Sequence, residues 1–230
     1  MKNTLTLLVL ALVFALQSNV SKAENKVQTR DLQKILAATQ VEYDKIQDFS
    51  ANFKQIYHHK VLKLEPSLGN VIFKKPGLMR WNYLKPSKKS FIVDGKALWI
   101  YQPDDNLAMV DRCFKQDTLT ASLSFLWGGG NIRKQFDAQF FDGSFGEKSD
   151  IHIKLTPKTK TNFFKRVILV IDEKTHKVKQ SIVVDLEGNL NQFIFSEIRY
   201  QTKTNEKEFR FEPPKNVHVS AMPGSVDKCK

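Results

Sequence analysis

The sequence predicts a mainly β protein. One long antiparallel sheet curls into a partly closed barrel, with an N-terminal helix and a short mid-chain helix against it. Three observations predict this. A long run of apolar residues at spacings of three and four occurs once, before residue 48. After it the apolar period is two, in short runs. Those runs are cut by Pro, Asp-Gly and Gly-Asn signals every ~8–12 residues, as in antiparallel sheets.

The chain opens with Lys2, an apolar stretch from Leu5 to Leu16, and Ser21-Lys22-Ala23. A short positive start, an apolar run and small residues at the two positions a peptidase reads make a secretory leader, cut after Ala23. The run is shorter than the ~20 residues that span a bilayer. No cysteine follows the cut to take a lipid anchor. Residues 1–23 are therefore read as a cleaved signal peptide and 24–230 as one exported domain, periplasmic in a diderm bacterium.

From Thr29 to Asp48, Leu32, Ile35, Leu36, Thr39, Tyr43 and Ile46 form one apolar stripe, opposite Lys34, Gln40, Glu42 and Lys45. Thr29 is a suitable N-cap, with Asp31 in the first turn. Strands follow. Phe49, Ala51 and Phe53 alternate with Ser50, Asn52 and Lys54, and "GNVIFKKP" and "LMRWNYLKP" end in prolines that cannot donate to a ladder. Asp94-Gly95 sits between two β-rich runs and marks a hairpin. Segment 117–131 breaks the rhythm. Leu119, Leu123, Leu126 and Trp127 suit one face of a short helix, stopped by Gly128, Gly129 and Gly130. Strands resume at Ile151 and run to Phe209 and Phe211, before Pro213-Pro214. A sheet of this length must twist and curl.

The net charge is +12, with Lys2 and Lys22 in the leader. An exported protein seldom meets nucleic acid, so the charge points to an anionic membrane surface or an acidic partner, or to a generally solvated basic surface, since the lysines are scattered. Cys113 and Cys229 are the two cysteines. An even count in an oxidising compartment favours a disulfide between them.

Signatures of catalysis are missing from the pattern. His58, His59, His152, His176 and His218 include no helical pair with metal-binding spacing. No serine sits in a nucleophile elbow. The glycines at 128–130 follow a helical pattern, unlike a phosphate loop. Neither an enzyme nor a metal or other cofactor is expected. The excess is apolar: 17 Phe, 3 Trp and 5 Tyr. Leu98 and Ile100 alternate with Trp99 and Tyr101, so that strand is apolar on both faces. Part of this bulk is expected to line a cavity.

At "FSANFKQ", "KKPGLMRWNYLKP", "FIVDGKALWIYQPD" and "FRFEPPKNVHV" the chain resembles the outer-membrane lipoprotein carrier (LolA) family, over about residues 29–219. The resemblance implies a single unclosed antiparallel β-barrel, a half-barrel covered by an N-terminal helix and a short mid-chain helix. It implies a non-enzymatic periplasmic chaperone, acting as a monomer without a cofactor. Such a carrier holds the acyl chains of lipoproteins, takes them from an inner-membrane ABC transporter and delivers them to an outer-membrane acceptor. Met79, Trp81, Tyr83, Phe91, Val93, Trp99 and Tyr101 are the expected cavity residues, with Arg80 and Asn82 meeting solvent. Leu78 and Leu84 give the other face bulk too. Leu119, Leu123, Leu126 and Trp127 are the expected lid. Family members often carry an arginine before the proline, where its hydrogen bonds help close the lid; here Lys75 stands there, a point donor without the planar fork. A periplasmic lipid-binding sensor or regulator of the same fold is the alternative.

Overall fold

A computed structural model of the chain describes residues 31–114 and 131–225. The leader, the segment 117–130 and Cys229 lie outside the described residues, and so does the proposed cap Thr29.

Helix α1 (Leu32–Lys45) forms where the stripe predicts it. It buries Ile35, Leu36, Thr39 and Tyr43. The apolar side chains Ile35, Leu36, Tyr43 and Ile46 join the main core. Burying side chains of this kind stabilises by about 1.5–3 kcal/mol each, which outweighs the weak propensity of the β-branched and aromatic residues.

Twelve strands make one sheet: β1 (Asp48–His58), β2 (Ser67–Lys74), β3 (Leu78–Lys85), β4 (Lys89–Val93), β5 (Leu98–Gln102), β6 (Leu107–Asp111), β7 (Phe136–Phe140), β8 (Ile151–Pro157), β9 (Arg166–Ile171), β10 (Val178–Val184), β11 (Leu190–Tyr200) and β12 (His218–Ala221). Their spatial order is β12-β6-β5-β4-β3-β2-β1-β11-β10-β9-β8-β7. The first and last strands in that order do not pair, so the sheet is an open half-barrel. Two meanders, β1–β6 and β7–β11, are joined by the antiparallel β1–β11 pair. A bulge at this seam, with Glu197 at positive φ, accommodates the curl.

The Asp94-Gly95 hairpin is as read. Asp94 Oδ1 accepts from the N–H of Lys96 and Ala97, and Gly95 takes the left-handed φ the turn requires. Asp172 Oδ1 closes the β9–β10 turn in the same way, accepting from Lys174 and Thr175. Three features differ from the sequence reading. Helix α2 (Ile132–Gln135), capped by the Asn131 side chain, leads into β7, a short half-exposed strand with little alternation to betray it. Phe209 lies in a 3-10 turn, Glu206–Phe209, rather than a strand. Strand β12 runs parallel to β6, because the chain crosses back over the sheet to reach that edge.

The inner face carries α1 and the main core, including Phe49, Phe53, Val71, Phe73, Leu169 and Ile153. The outer face is covered at both ends. Ile168, Val170, Ile182 and Val184 pack with Phe141 and Phe145 at one end. At the other, Ile92, Ala108 and Val110 are buried under the C-terminal segment, where Phe209 is also buried. Arg80 straps that segment down, donating from Nε to Glu208 O at 2.6 Å and from Nη2 to Arg210 O at 2.8 Å. Burial pushes the Arg80 guanidinium downward, with Glu208 opposing. Asn82 is bonded to Asn70 and Ser90. Arg80 and Asn82 therefore serve the outer face as half-buried bonded groups rather than meeting solvent alone.

Candidate functional site

Cross-strand register decides which predicted residues share a face. Met79 pairs with Val93 and Trp81 with Phe91, so Met79, Trp81, Tyr83, Phe91 and Val93 all point inward. Phe91 pairs in turn with Ile100, and Val93 with Leu98. Trp99 and Tyr101 are therefore corrected: they sit on the outer face, against Phe211, with ring centroids 5.4 and 5.1 Å apart. Their strand is apolar on both sides, so period-two patterning gave no choice of face. The hairpin register made it, and Leu98 and Ile100 take the inward positions.

The inward side chains build a continuous aromatic track. Phe49 and Phe73 lie 4.8 Å apart, Phe73 and Trp81 6.1 Å, and Trp81 and Phe53 4.8 Å. Phe53 meets Tyr83 at 5.1 Å, and Tyr83 meets Phe91 at 6.0 Å. Phe193 and Phe195 join from β11, at 5.2 and 6.2 Å from Trp81. These tilted and edge-on geometries are the favoured ones for aromatic pairs. Gly69 makes the centre possible. A Cβ there would lie 2.0 Å from the Asn82 carbonyl oxygen and 2.5 Å from the Phe53 ring. The sequence reading missed Phe193 and Phe195 as site residues, since only the distant β1–β11 pairing brings them to Trp81.

The track is packed rather than hollow in its middle: Trp81 is 3 % exposed and Phe53 2 %. Space opens at its end. Tyr83 and Phe91, with Gln55, Ser67, Pro86, Ser87 and Lys89, line an open groove of about 300 Å³. A second groove of about 490 Å³ shares Gln55, Ser67 and Pro86 and continues along Tyr57, Lys63, Leu64 and Glu65. Beneath α1, a void of about 10 Å³ lies between Tyr43, Phe49, Ala51, Val178 and Tyr200.

Two buried polar atoms have no hydrogen-bond partner among the described residues: Thr39 Oγ1 and Ser181 Oγ. Each is a destabilising feature in an apolar wall. Burial pushes the Tyr83 hydroxyl up to about 12. Burial also raises Tyr200 to about 12, against the hydrogen bond it accepts from Tyr43. Tyr43 is pushed up by its own burial, and its hydroxyl accepts from the Val178 N–H at 3.1 Å. That hydroxyl thus bolts α1 to β10 and β11.

Lys75 Nζ donates to the carbonyls of Tyr43 and Asp44, at 2.8 and 3.3 Å, in the last turn of α1. A cation there satisfies carbonyls without an intrahelical partner and complements the helix dipole. Burial lowers the Lys75 ammonium, while Asp44 raises it. The lid residues Leu119, Leu123, Leu126 and Trp127 lie outside the described residues. Cys113 is disulfide-bonded. No group of three or more His, Cys, Asp or Glu side chains among the described residues is placed to hold a metal. No helix among them is long and apolar enough to cross a membrane.

Against known proteins, residues 44–212 match the family model described as outer membrane lipoprotein carrier protein LolA. An outer-membrane lipoprotein carrier protein of Chromobacterium violaceum is 30% identical over 171 residues, 74% of this chain and 79% of that protein. One from Nitrosomonas europaea is 31% identical over 173 residues, 74% of this chain and 81% of that protein. Among solved structures, an uncharacterized conserved protein from Thermus thermophilus shares the fold with a TM-score of 0.52 at 17% identity, over 83% of this chain and 98% of that one. With the match extending from the end of α1 to the segment strapped by Arg80, the chain belongs to the outer membrane lipoprotein carrier protein LolA family.

Proposed function

We propose that this protein is a periplasmic carrier that holds the acyl chains of lipoproteins against the inner face of its sheet. It takes them from an inner-membrane ABC transporter and passes them to an outer-membrane acceptor, without catalysis. The observation that carries this reading is the aromatic track running from beneath α1 to an open groove at Tyr83 and Phe91. Family membership supports it independently.

The mechanism is exchange of apolar partners. Burying an acyl chain contributes about 0.8 kcal/mol per CH₂. A preformed hollow would hold several such chains too tightly for release. Here the track is packed in its middle, so cargo must displace what fills it; α1 is one cover to be moved, and Leu119, Leu123, Leu126 and Trp127 are proposed as the lid from their pattern and the family resemblance. The cost of displacement offsets part of the burial, leaving a net affinity from which the next acceptor can draw. Tyr43 and Lys75 set that cost at α1. Mass spectrometry of the protein released intact from the periplasm is expected to show bound triacylated lipoprotein. A protein that carries none, and takes up none from the releasing transporter, overturns the carrier reading.

A further inference from the structure

We propose that one rim of the half-barrel, built from residues 59–68 and 84–89, docks on an anionic phospholipid leaflet. The inference rests on the carrier reading and adds the surface at which cargo changes hands.

Aliphatic side chains are concentrated there in solvent. Val61 is 83% exposed, Leu62 55%, Leu84 52% and Leu64 49%. Leu68 adds to them at the start of β2. The fold gathers them at one end of the sheet. Lys63 bridges back to His58 at the end of β1, and Leu68 pairs with Lys85 across β2 and β3. The two open grooves meet at Gln55, Ser67 and Pro86, between the two loops. Exposed large aliphatics at loop tips are costly unless something covers them.

The charge around them selects the occupant. Lys60, Lys63, Lys85, Lys88 and Lys89 stand among these residues, with Glu65 as the acid of the same two loops. The nearest further acids lie on neighbouring turns. Asp104 accepts from the Lys88 N–H, and Asp185 from Tyr57 and Asn189. Glu187 offers its backbone carbonyl to Lys60 Nζ. Aliphatic tips interleaved with lysines suit a leaflet: the tips enter the acyl boundary and the ammonium groups reach lipid phosphates. A protein partner is favoured less, because lysine is depleted from protein interfaces and Val and Leu are under-represented among their energetic centres. The aromatic track supplies continuity. Tyr83 and Phe91 line the groove that opens on this rim, so docking there brings the end of the track to the surface in which the transporter sits.

The test is co-sedimentation of the exported protein with vesicles of phosphatidylethanolamine and phosphatidylglycerol, against vesicles of phosphatidylcholine alone. Binding to the anionic vesicles is expected, weakening as salt rises. The double variant Val61→Glu, Leu62→Glu changes exposed positions that line neither groove and should keep its unfolding midpoint. Its partition onto anionic vesicles should fall about tenfold or more, by loss of apolar insertion and gain of repulsion. Uptake of lipoprotein in detergent should be unchanged, which separates failure here from failure of the carrier reading. No vesicle binding at low salt, or equal binding by the variant, overturns the proposal. So does a variant that loses transfer from the inner-membrane transporter while neither protein binds vesicles, which would assign the rim to a protein partner.

Discussion

Replacing Tyr43 with Phe isolates the bolt between α1 and the sheet. The ring stays, so no cavity forms and its place in the core is kept. What is lost is one hydroxyl with two partners. The Val178 N–H, on a residue 2% exposed, loses its acceptor at 3.1 Å. A buried N–H left without a partner costs about 1–3 kcal/mol. Tyr200 loses the donor supplied by Tyr43. Its side chain is half-buried and can turn to water, so that loss is smaller, about 0.5–1 kcal/mol. Together the expected destabilisation is about 1.5–4 kcal/mol, within the stability of an ordinary domain. The melting temperature should fall by roughly 3–16 °C for a chain of this size. Urea unfolding of Tyr43→Phe beside Tyr200→Phe measures both terms, with Tyr200→Phe the milder. Because α1 is released rather than unfolded, the same variant should take up lipoprotein faster. A change below about 0.5 kcal/mol, or a larger effect from Tyr200→Phe, would refute the assignment of Tyr43 as the bolt.

Gly69→Ala should destabilise by about 3 kcal/mol, because the new methyl meets backbone oxygen of Asn82 at 2.0 Å and β2 must part from β3; an unfolding midpoint equal to the parent's would contradict the close approach. Alkaline stability should fall as well. Tyr200 and Tyr83 are raised to about 12, and Tyr43 is also raised, so each binds its proton more tightly folded than unfolded. Their stabilisation is complete below the ordinary tyrosine range near 10 and is lost as pH climbs through 12. Unfolding followed between about pH 9 and pH 12 should show this decline, flattened in Tyr43→Phe. The proposed Cys113–Cys229 bridge predicts no titratable thiol in denatured unreduced protein and two after reduction. Two thiols before reduction would dismiss it.

Much of the fold is written in short-range pattern. The stripe from Leu32 to Ile46 marks α1 because helical spacing and burial are one property. Asp94-Gly95 marks its hairpin because left-handed backbone favours a residue without a Cβ. Met79, Trp81 and Tyr83 read as one face because a strand alternates. The order of motifs from "FSANFKQ" to "FRFEPPKNVHV" places the chain in its family. Other features depend on partners far along the chain. Whether Trp99 or Ile100 faces inward rests on register against Phe91, and both faces of that strand are apolar. Phe193 and Phe195 reach Trp81 only through the β1–β11 seam. Arg80 looks like an ordinary solvated residue until Glu208 and Arg210 arrive to be held by it. The family resemblance singles out Lys75, but its partners, the Tyr43 and Asp44 carbonyls, appear only when the end of α1 lies beneath it. Local pattern determines which residues are helix, strand and turn, because those choices are governed by neighbours a few positions away. Which apolar face becomes the acyl track, and which side chains bolt α1 over it, was decided by tertiary contacts between distant segments, and no periodicity encodes those.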